Sequence, residues 1–444
     1  MNILKDIVMK RINNIFFCMA FFIIMFSCRA LSAQNHAGKL TCSDYLMRVT
    51  NGNIAGMAEK YNVEIASANL QAARALNNPQ LSFSYADNQD NSKKMGKSYE
   101  AGLEYSFYVG GVRTARIKVA GSEKKITEEN TRNYFVTLLA DASNAFVEAV
   151  RLKRLFNLAL SSYKQIRMMA FADSLRFASG EITRTDAIQS GLEADAGYND
   201  FLRGKGSYER ALSALYLYMG EESGSSSMYE IDTNLTPLII GAGKYAGVSE
   251  EALLDEAEKN RADLLAAFYA KELSNNNLRL IKANRSIELG LSAGISHNNE
   301  VRNTIAPAPS YNGFTVGLTL PIKLSSANRG EVRAAQFQQK QAEKAYEAAY
   351  LQVRQEVRVA LINYAASLDV FQRYKGKMLI DAEEIVKNKI FGYTKGESSL
   401  LEVIIARRSF NDACAGYINA ECDLAIAANE LGRAVGELQL SADR

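Results

Sequence analysis

The chain has 444 residues, of which 52 are Lys or Arg, 49 are Asp or Glu and 2 are His, for a formal net charge of +3. Basic residues are interleaved with Glu and Asp along helix-forming stretches, which excludes nucleic-acid binding through a basic patch. The histidines, His36 in the N-terminal tail and His297 in a predicted loop, exclude a histidine-based triad and a zinc cluster, so no metal, no cofactor and no enzymatic activity are expected.

Lys5, Lys10 and Arg11 precede an apolar run from Ile15 to Phe26. That run is too short to span a bilayer and has the length of a secretory signal, so residues 1–33 read as a signal peptide. Two processing sites compete. Ala30-Leu31-Ser32-Ala33 resembles a small-residue cleavage site before Gln34, and Phe26-Ser27-Cys28 resembles a loose lipobox that would leave Cys28 lipidated. No later apolar stretch reaches membrane-helix length. Cys414 and Cys422 lie eight apart on a predicted helix, about 12 Å along its axis, which is beyond disulfide reach. With Cys42 they read as small buried hydrophobes.

A first unit, 34–218, begins with a helical region from Leu40 to Leu76, interrupted near Asn51 to Asn53. Pro79 sets an extended conformation for its neighbour and opens a strand from Gln80 to Ala86. The polar run Asp87 to Lys97 reads as a hairpin loop, and a strand ending at Phe107 returns, giving a strand hairpin over 80–108. In that second strand Tyr99, Ala101, Leu103, Tyr105 and Phe107 alternate, whereas after Gly110 and Gly111 the pattern becomes helical. No proline occurs from Val112 to Phe177, a run of about 66 residues or about 100 Å of helix, too long for a compact globule. Ala178 to Thr183 turns the chain and Asp186 to Tyr218 runs back, completing a long helical hairpin over 112–218.

Glycines, Pro237 and a serine run mark 219–248 as a connector. A second unit, 249–438, repeats the order: helices from Glu250 to Ser286, a strand hairpin over 287–323, and a helical hairpin over 330–438, with residues 439–444 as a tail. Its strands are Ile287 to His297 and Gly313 to Lys323, separated by a loop from Asn298 to Asn312. Val316, Leu318, Leu320 and Ile322 alternate before Ser325, Ser326 and Asn328. The long helix Gly330 to Gly392 carries Ala342, Tyr346, Ala349, Val353, Val357, Ala360 and Tyr364 at coiled-coil spacing. Phe177-Ala178-Ser179-Gly180-Glu181 is echoed by Tyr393-Thr394-Lys395-Gly396-Glu397. The pattern indicates two internal repeats of helix, strand, strand, long helix, turn, helix.

Four short strands cannot close a sheet, and each is near the length of a tilted membrane strand. For an exported chain, closure through several copies gives a barrel without unpaired edges in lipid; a small soluble sheet capping a coiled coil is the alternative. Alternation places Leu103, Tyr105, Leu318 and Leu320 on one face, read as lipid-facing, with Glu104 and Thr319 on the other.

The doubled strand-to-helix switch, Asn78-Pro79-Gln80-Leu81-Ser82, Asn260-Arg261-Ala262-Asp263-Leu264, and the turns Gly180-Glu181-Ile182-Thr183 and Gly396-Glu397-Ser398-Ser399 together resemble the TolC-like outer-membrane efflux proteins, over essentially the whole mature chain. The resemblance implies a mainly α fold with a small β part: long antiparallel helical hairpins forming an α-barrel tunnel, and four membrane strands per chain closing a trimeric 12-stranded β-barrel. It implies a homotrimer in the outer membrane lipid of a Gram-negative bacterium, extending into the periplasm. There it would serve as a passive exit duct for small molecules, docked on a periplasmic adaptor and an inner-membrane pump. A type I protein secretion duct and a periplasmic coiled-coil adaptor are the alternatives. Ile287 departs from the family, which usually has proline there.

The turns Gly180, Glu181 and Thr183 and Gly396, Glu397 and Ser398 are expected at the periplasmic end. The glycines let the backbone reverse, and Thr183, Ser398 and Ser399 can cap the returning helices. The resemblance assigns them to adaptor docking. It also implies a periplasmic gate of Asp186, Tyr393 and Glu402, in which Asp186 receives a bond from Tyr393 and Glu402 belongs to an acidic ring. The family has an arginine where this chain has Ser398 and an acidic residue where it has Ile405, which leaves Arg184 or Lys395 to supply the missing cation.

Overall fold

A computed structural model describes residues 39–90, 93–222, 229–286, 288–321 and 327–437. The signal peptide with Cys28, Ile287, the strand end at Ile322 and Lys323, and the tail 439–444 lie outside the described residues.

The chain is mainly helical, with a small sheet part. Strand β1 (Lys39–Leu40) leads into helices α1 (Cys42–Gly52) and α2 (Ile54–Arg74). Asn53 ends the first helix and caps the second, its side chain accepting the Gly56 N–H, which is why the helical pattern breaks there. Strands β2 (Gln80–Asp90) and β3 (Lys93–Tyr108) follow, then α3 (Val112–Ala178) and α4 (Arg184–Met219). The two strands run on through the expected loop, since Asp87 pairs with Lys97 and Gln89 with Lys94. The polar residues there are strand residues of a hairpin projecting beyond the apolar band.

The connector is ordered where it is described. Strand β4 (Glu230–Ile231) pairs in parallel with β1, and helix α5 (Thr236–Ala242) follows. Helices α6 (Glu250–Asn260) and α7 (Ala262–Ala283) lead to β5 (Glu288–Asn298) and β6 (Tyr311–Thr319). His297 lies inside β5, as the strand expected to end there requires and not in the loop beyond it, and its Nδ1 is 2.7 Å from the Asn312 side-chain oxygen. The expected continuous helix after Gly330 is divided. Helix α8 (Ala327–Arg373) ends in a π-helical segment, Tyr374–Met378, where Gly376 leaves helical geometry (φ −77°, ψ −136°) before α9 (Leu379–Lys395) resumes. Helix α10 (Leu400–Val435) closes the chain.

The sheet has the order β2-β3-β5-β6, all antiparallel. Registered rows such as Leu81–Leu103–Ala293–Val316 and Phe83–Ala101–Ile295–Phe314 form one apolar face, on which Phe83 is 76% exposed and Phe314 72%. The opposite rows are small and polar: Ser82–Gly102–Gly294–Thr315 and Ser84–Glu100–Ser296–Gly313. Leu103, Tyr105 and Leu318 fall on the apolar face and Glu104 and Thr319 on the polar one, by the same register. Strands β2 and β6 are the two edges of this sheet.

Helix α3 packs along α4, α7, α2 and α10, and α8 along α7 and α10. Two cores lie where the short helices join the long ones. One gathers Tyr45, Phe146, Leu215, Ile231 and Cys422; the other gathers Tyr245, Leu253, Val357, Tyr364 and Leu431. Val353, Val357, Ala360 and Tyr364 of the coiled-coil seam are buried. Cys422 is fully buried, and burial pushes its thiol up to about 11, as befits a packing residue. Beside the second core Arg261 donates to Asp263 at 2.5 Å, to Glu356 at 2.7 Å and to the Ala434 carbonyl at 3.3 Å, locking α7 to α8 and α10. Farther from these cores large apolar residues remain exposed, among them Met168, Phe171, Leu192, Phe391, Leu401 and Ile405.

Candidate gate and docking tips at the helical turns

Both long hairpins reverse by one device. After α3, Gly180 takes φ +82°, its N–H donates to the Phe177 carbonyl at 3.0 Å and the Glu181 N–H to the Arg176 carbonyl at 2.8 Å. After α9, Gly396 takes φ +79°, its N–H donates to the Tyr393 carbonyl at 3.2 Å and the Glu397 N–H to the Gly392 carbonyl at 2.8 Å. These are glycine C-caps, in which the left-handed residue turns the last free carbonyls inward. A side chain built at either glycine would meet nothing within 4 Å, so conformation alone selects glycine there and the outer surface is open.

The returning helices are capped by hydroxyls. Thr183 accepts the Asp186 N–H at 3.2 Å and donates to the Asp186 carboxylate at 2.7 Å, while Ser399 accepts the Glu402 N–H at 3.3 Å. Ser398 is not the cap. It lies against Gly392, where an added Cβ would stand 2.5 Å from its hydroxyl oxygen.

The expected gate residues all lie at this end, and their partners differ from the expectation. Tyr393 does not donate to Asp186. Its hydroxyl donates to Asp173 on α3 at 2.8 Å, because Asp186 is already engaged by its own helix cap. Burial, then the hydrogen bond to Asp173, pushes the Tyr393 hydroxyl up to about 12, with the charge of Asp186 adding in the same direction. The cation at this site is neither Arg184 nor Lys395, the latter lying over the Phe391 ring. It is Arg176, whose guanidinium sits 5.0 Å from the centroid of the Tyr393 ring and 3.7 Å from an Asp173 oxygen, and which also reaches Glu181 at 3.4 Å. Glu402 is exposed and paired with Lys389 of α9 at 2.9 Å, and that hydrogen bond and charge hold its carboxyl below the usual range. Arg408 to Glu193 at 2.7 Å and Asn411 to Ser162 at 2.8 Å tie α10 to α4 and α3 behind the tips.

Asp173, Arg176 and Lys389 are the participants that the sequence reading missed. Their signal was present: Asp173 interrupts the apolar run Met168-Met169-Ala170-Phe171-Ala172, and Arg176 follows one turn later. Among the described residues no group of three or more His, Cys, Asp or Glu side chains could hold a metal ion, and no helix is long and apolar enough to cross a membrane.

Residues 57–221 and 253–437 match a family model described as outer membrane efflux protein. The outer membrane protein TolC of Vibrio cholerae is 24% identical over 335 residues, covering 73% of this chain and 74% of that protein. The cobalt-zinc-cadmium resistance protein CzcC of Cupriavidus metallidurans is 22% identical over 401 residues, covering 90% of this chain and 91% of that one. Among solved structures, a membrane protein from Pseudomonas aeruginosa superposes with a TM-score of 0.73 at 19% identity, over 89% of this chain and 92% of that one. The open-state MtrE outer membrane channel of Neisseria gonorrhoeae gives 0.70 at 17% identity, over 89% of each chain.

Proposed function

The chain belongs to the outer membrane efflux protein family, and from that premise we propose that three copies form a passive exit duct for small molecules, running from a periplasmic tunnel through one outer-membrane barrel. The carrying observation is the sheet. Its one apolar face and two edge strands suit lipid only if β2 of one copy pairs with β6 of the next, so that no backbone edge remains. Three four-stranded sheets then give the 12-stranded barrel. The small polar face lines its lumen. The exposed apolar residues of the helices are covered by neighbouring copies, and the two internal repeats, 34–218 and 249–438, form the tunnel wall as equivalent hairpins.

In this reading the duct couples no energy of its own and catalyses no reaction. It docks through the tips Gly180, Glu181, Thr183, Gly396, Glu397 and Ser398 on a periplasmic adaptor that links it to an inner-membrane pump. The open space at both glycines supports a docking role, since none of the described residues occupies it. Asp186, Tyr393 and Glu402 belong to a gate at that end, with Glu402 as an acidic ring around the trimer axis. Outer-membrane fractionation with heat-modifiable trimer migration tests the assembly; a monomeric periplasmic protein would refute it. Bulky charged residues at Gly180 and Gly396 are expected to abolish transport with trimers intact, and unchanged transport would remove the docking assignment.

A further inference from the structure

One row on the apolar face of the sheet is unlike those below it. Next to Phe83–Ala101–Ile295–Phe314, on the side away from the helices, the register places Tyr85–Tyr99–His297–Asn312, and beyond that Asp87 opposite Lys97. Tyr85 and Tyr99 stand 5.2 Å apart by ring centroid and Tyr99 and His297 6.5 Å, so three rings follow one another across three strands. His297 Nδ1 is 2.7 Å from the Asn312 side-chain oxygen; that oxygen can only accept, so Nδ1 donates and the Asn312 amide nitrogen remains to donate elsewhere. Asp87 accepts from Tyr85 at 3.1 Å and from Lys97 at 3.2 Å, and the Lys97 ammonium has further N–H donors. The groups this row offers to a ligand are therefore donors: Lys97, the Tyr99 hydroxyl, the Asn312 amide and, once protonated, the second nitrogen of His297. Between this row and Phe83–Ala101–Ile295–Phe314 lies a groove of about 810 Å³. Ala101 is its low point between Phe83 and Ile295, and Ala293 continues the low line diagonally in the next row.

We propose that this groove binds the phosphorylated, acylated glycolipid of the outer leaflet: Lys97, His297 and Asn312 take a phosphate, Tyr85 and Tyr99 carry a sugar ring, and an acyl chain lies over Ala101. This inference rests on the barrel reading above. In that barrel, counting up β3 from Phe107 at a rise of about 3.4 Å and a tilt of about 45°, Tyr99 stands about 19 Å and Lys97 about 24 Å above the periplasmic boundary. That is the upper edge of an apolar band about 25 Å tall, where lipid headgroups begin. The donors call for an anionic acceptor. A phosphate at the second nitrogen of His297 holds the ring protonated on both nitrogens, so His297 and Lys97 together outweigh Asp87. The row of rings is about 10 Å across at about 4.8 Å per strand, which a disaccharide spans and a glycerol headgroup does not. The apolar rows below keep the acyl chain in hydrocarbon along its length.

The test uses full-length trimers purified in detergent and stripped of lipid. Lipid A with both phosphates, lipid A after phosphatase treatment and phosphatidylglycerol are added in turn, and bound lipid is measured by native mass spectrometry. The wild type should hold the phosphorylated lipid A about tenfold more tightly than either other lipid. Lys97→Gln and His297→Leu should each weaken it about tenfold, the effect of losing one hydrogen bond to a charged group. Ala101→Phe, which fills the groove, should weaken both forms of lipid A, and Glu100→Gln, on the opposite face, should change nothing. If Lys97→Gln does not assemble because Asp87 is left unpaired, His297→Leu and Asn312→Ala carry the test, since both leave a face that lipid tolerates. Unchanged affinity in those two variants overturns the proposal, and so does phosphatidylglycerol held as tightly as lipid A. Displacement of lipid A by inorganic phosphate alone overturns it too, as the mark of a free-ion site. A chain that does not fractionate with outer membranes as a heat-modifiable trimer overturns the barrel, and this proposal with it. A normal trimer without preference for lipid A overturns the proposal and leaves the barrel.

Discussion

An arginine on the apolar face of the sheet should act through depth in the bilayer, and the register allows that depth to be worked out. In the proposed barrel, strand β3 descends to Tyr108 and continues into α3, which places Phe107 at the periplasmic boundary of the lipid in that reading. At a rise of about 3.4 Å per residue and a tilt of about 45°, each residue climbs about 2.4 Å. Leu103 then stands about 10 Å above Phe107, near the middle of an apolar band about 25 Å tall, and Tyr105 stands about 5 Å above it. Leu318 shares the Tyr105 row through Leu291, and Leu320, just beyond the Thr319 end of β6, lies at the boundary. Leu103→Arg should therefore cost about 2–4 kcal/mol per copy, or about 6–12 kcal/mol for three copies, while Tyr105→Arg and Leu318→Arg cost about half as much and Leu320→Arg little. Glu104→Arg points into the polar face beside Ser292 and Ser106 and should be tolerated. The assay is the yield of heat-modifiable trimer in the outer membrane. Equal losses for Leu103→Arg and Glu104→Arg would refute the face assignment, and a rank order with Leu320→Arg worst would refute the depth argument.

Further outcomes follow from the helical body. Glu402→Ala should abolish block by multivalent cations, whereas Lys389→Ala should tighten block by freeing the carboxylate that it now pairs; an unchanged blocking concentration in both removes Glu402 from the pore. Arg261→Met should lower trimer stability by about 3 kcal/mol, the low end for a broken buried pair because Asp263 and Glu356 are partly exposed and can rehydrate, read as a lower melting temperature. Burial pulls the Asp263 carboxyl up, but the hydrogen bond and charge of Arg261 and the Leu264 N–H outweigh it and hold the carboxyl below its ordinary value. Its contribution is thus complete above about pH 4 and is lost as pH falls through the lower folded value, so the melting-temperature gap between the wild type and Arg261→Met should narrow only in that acid range, without closing, since the Ala434 carbonyl still accepts from Arg261. Gly416→Ala would place a methyl 2.5 Å from the Tyr374 hydroxyl and 2.6 Å from its ring; displacing the ring should cost about 1–3 kcal/mol and be relieved by Tyr374→Ala, and a neutral Gly416→Ala would contradict the packing.

What was legible in the sequence was what periodicity encodes. Alternation in Tyr99 to Phe107 and in Val316 to Leu320 gave the strand faces, the proline-free run from Val112 gave the long helix, and glycine followed by Thr or Ser gave the capped turns. What was not legible depends on which neighbour wins a contested bond. Asp186 is a natural acceptor for Tyr393 when family pattern is carried over position by position. In this chain Thr183 already engages that carboxylate as part of the helix cap, and Asp173 on the facing helix is deeper and has an oxygen free to accept. No local pattern records that competition, because it is settled by a side-chain bond between α3 and α9 that spans 220 residues of sequence. The division of the helix at Gly376 was hidden for a related reason. A single glycine inside a helical pattern is ordinarily tolerated at about 1 kcal/mol, and the close approach of Tyr374 to Gly416 of α10, beside the break, is a contact that no local pattern records. The two features that the pattern could not reveal thus lie at the two ends of one element, α9, and each involves a neighbour distant in sequence: Asp173 for Tyr393 and Gly416 for Tyr374.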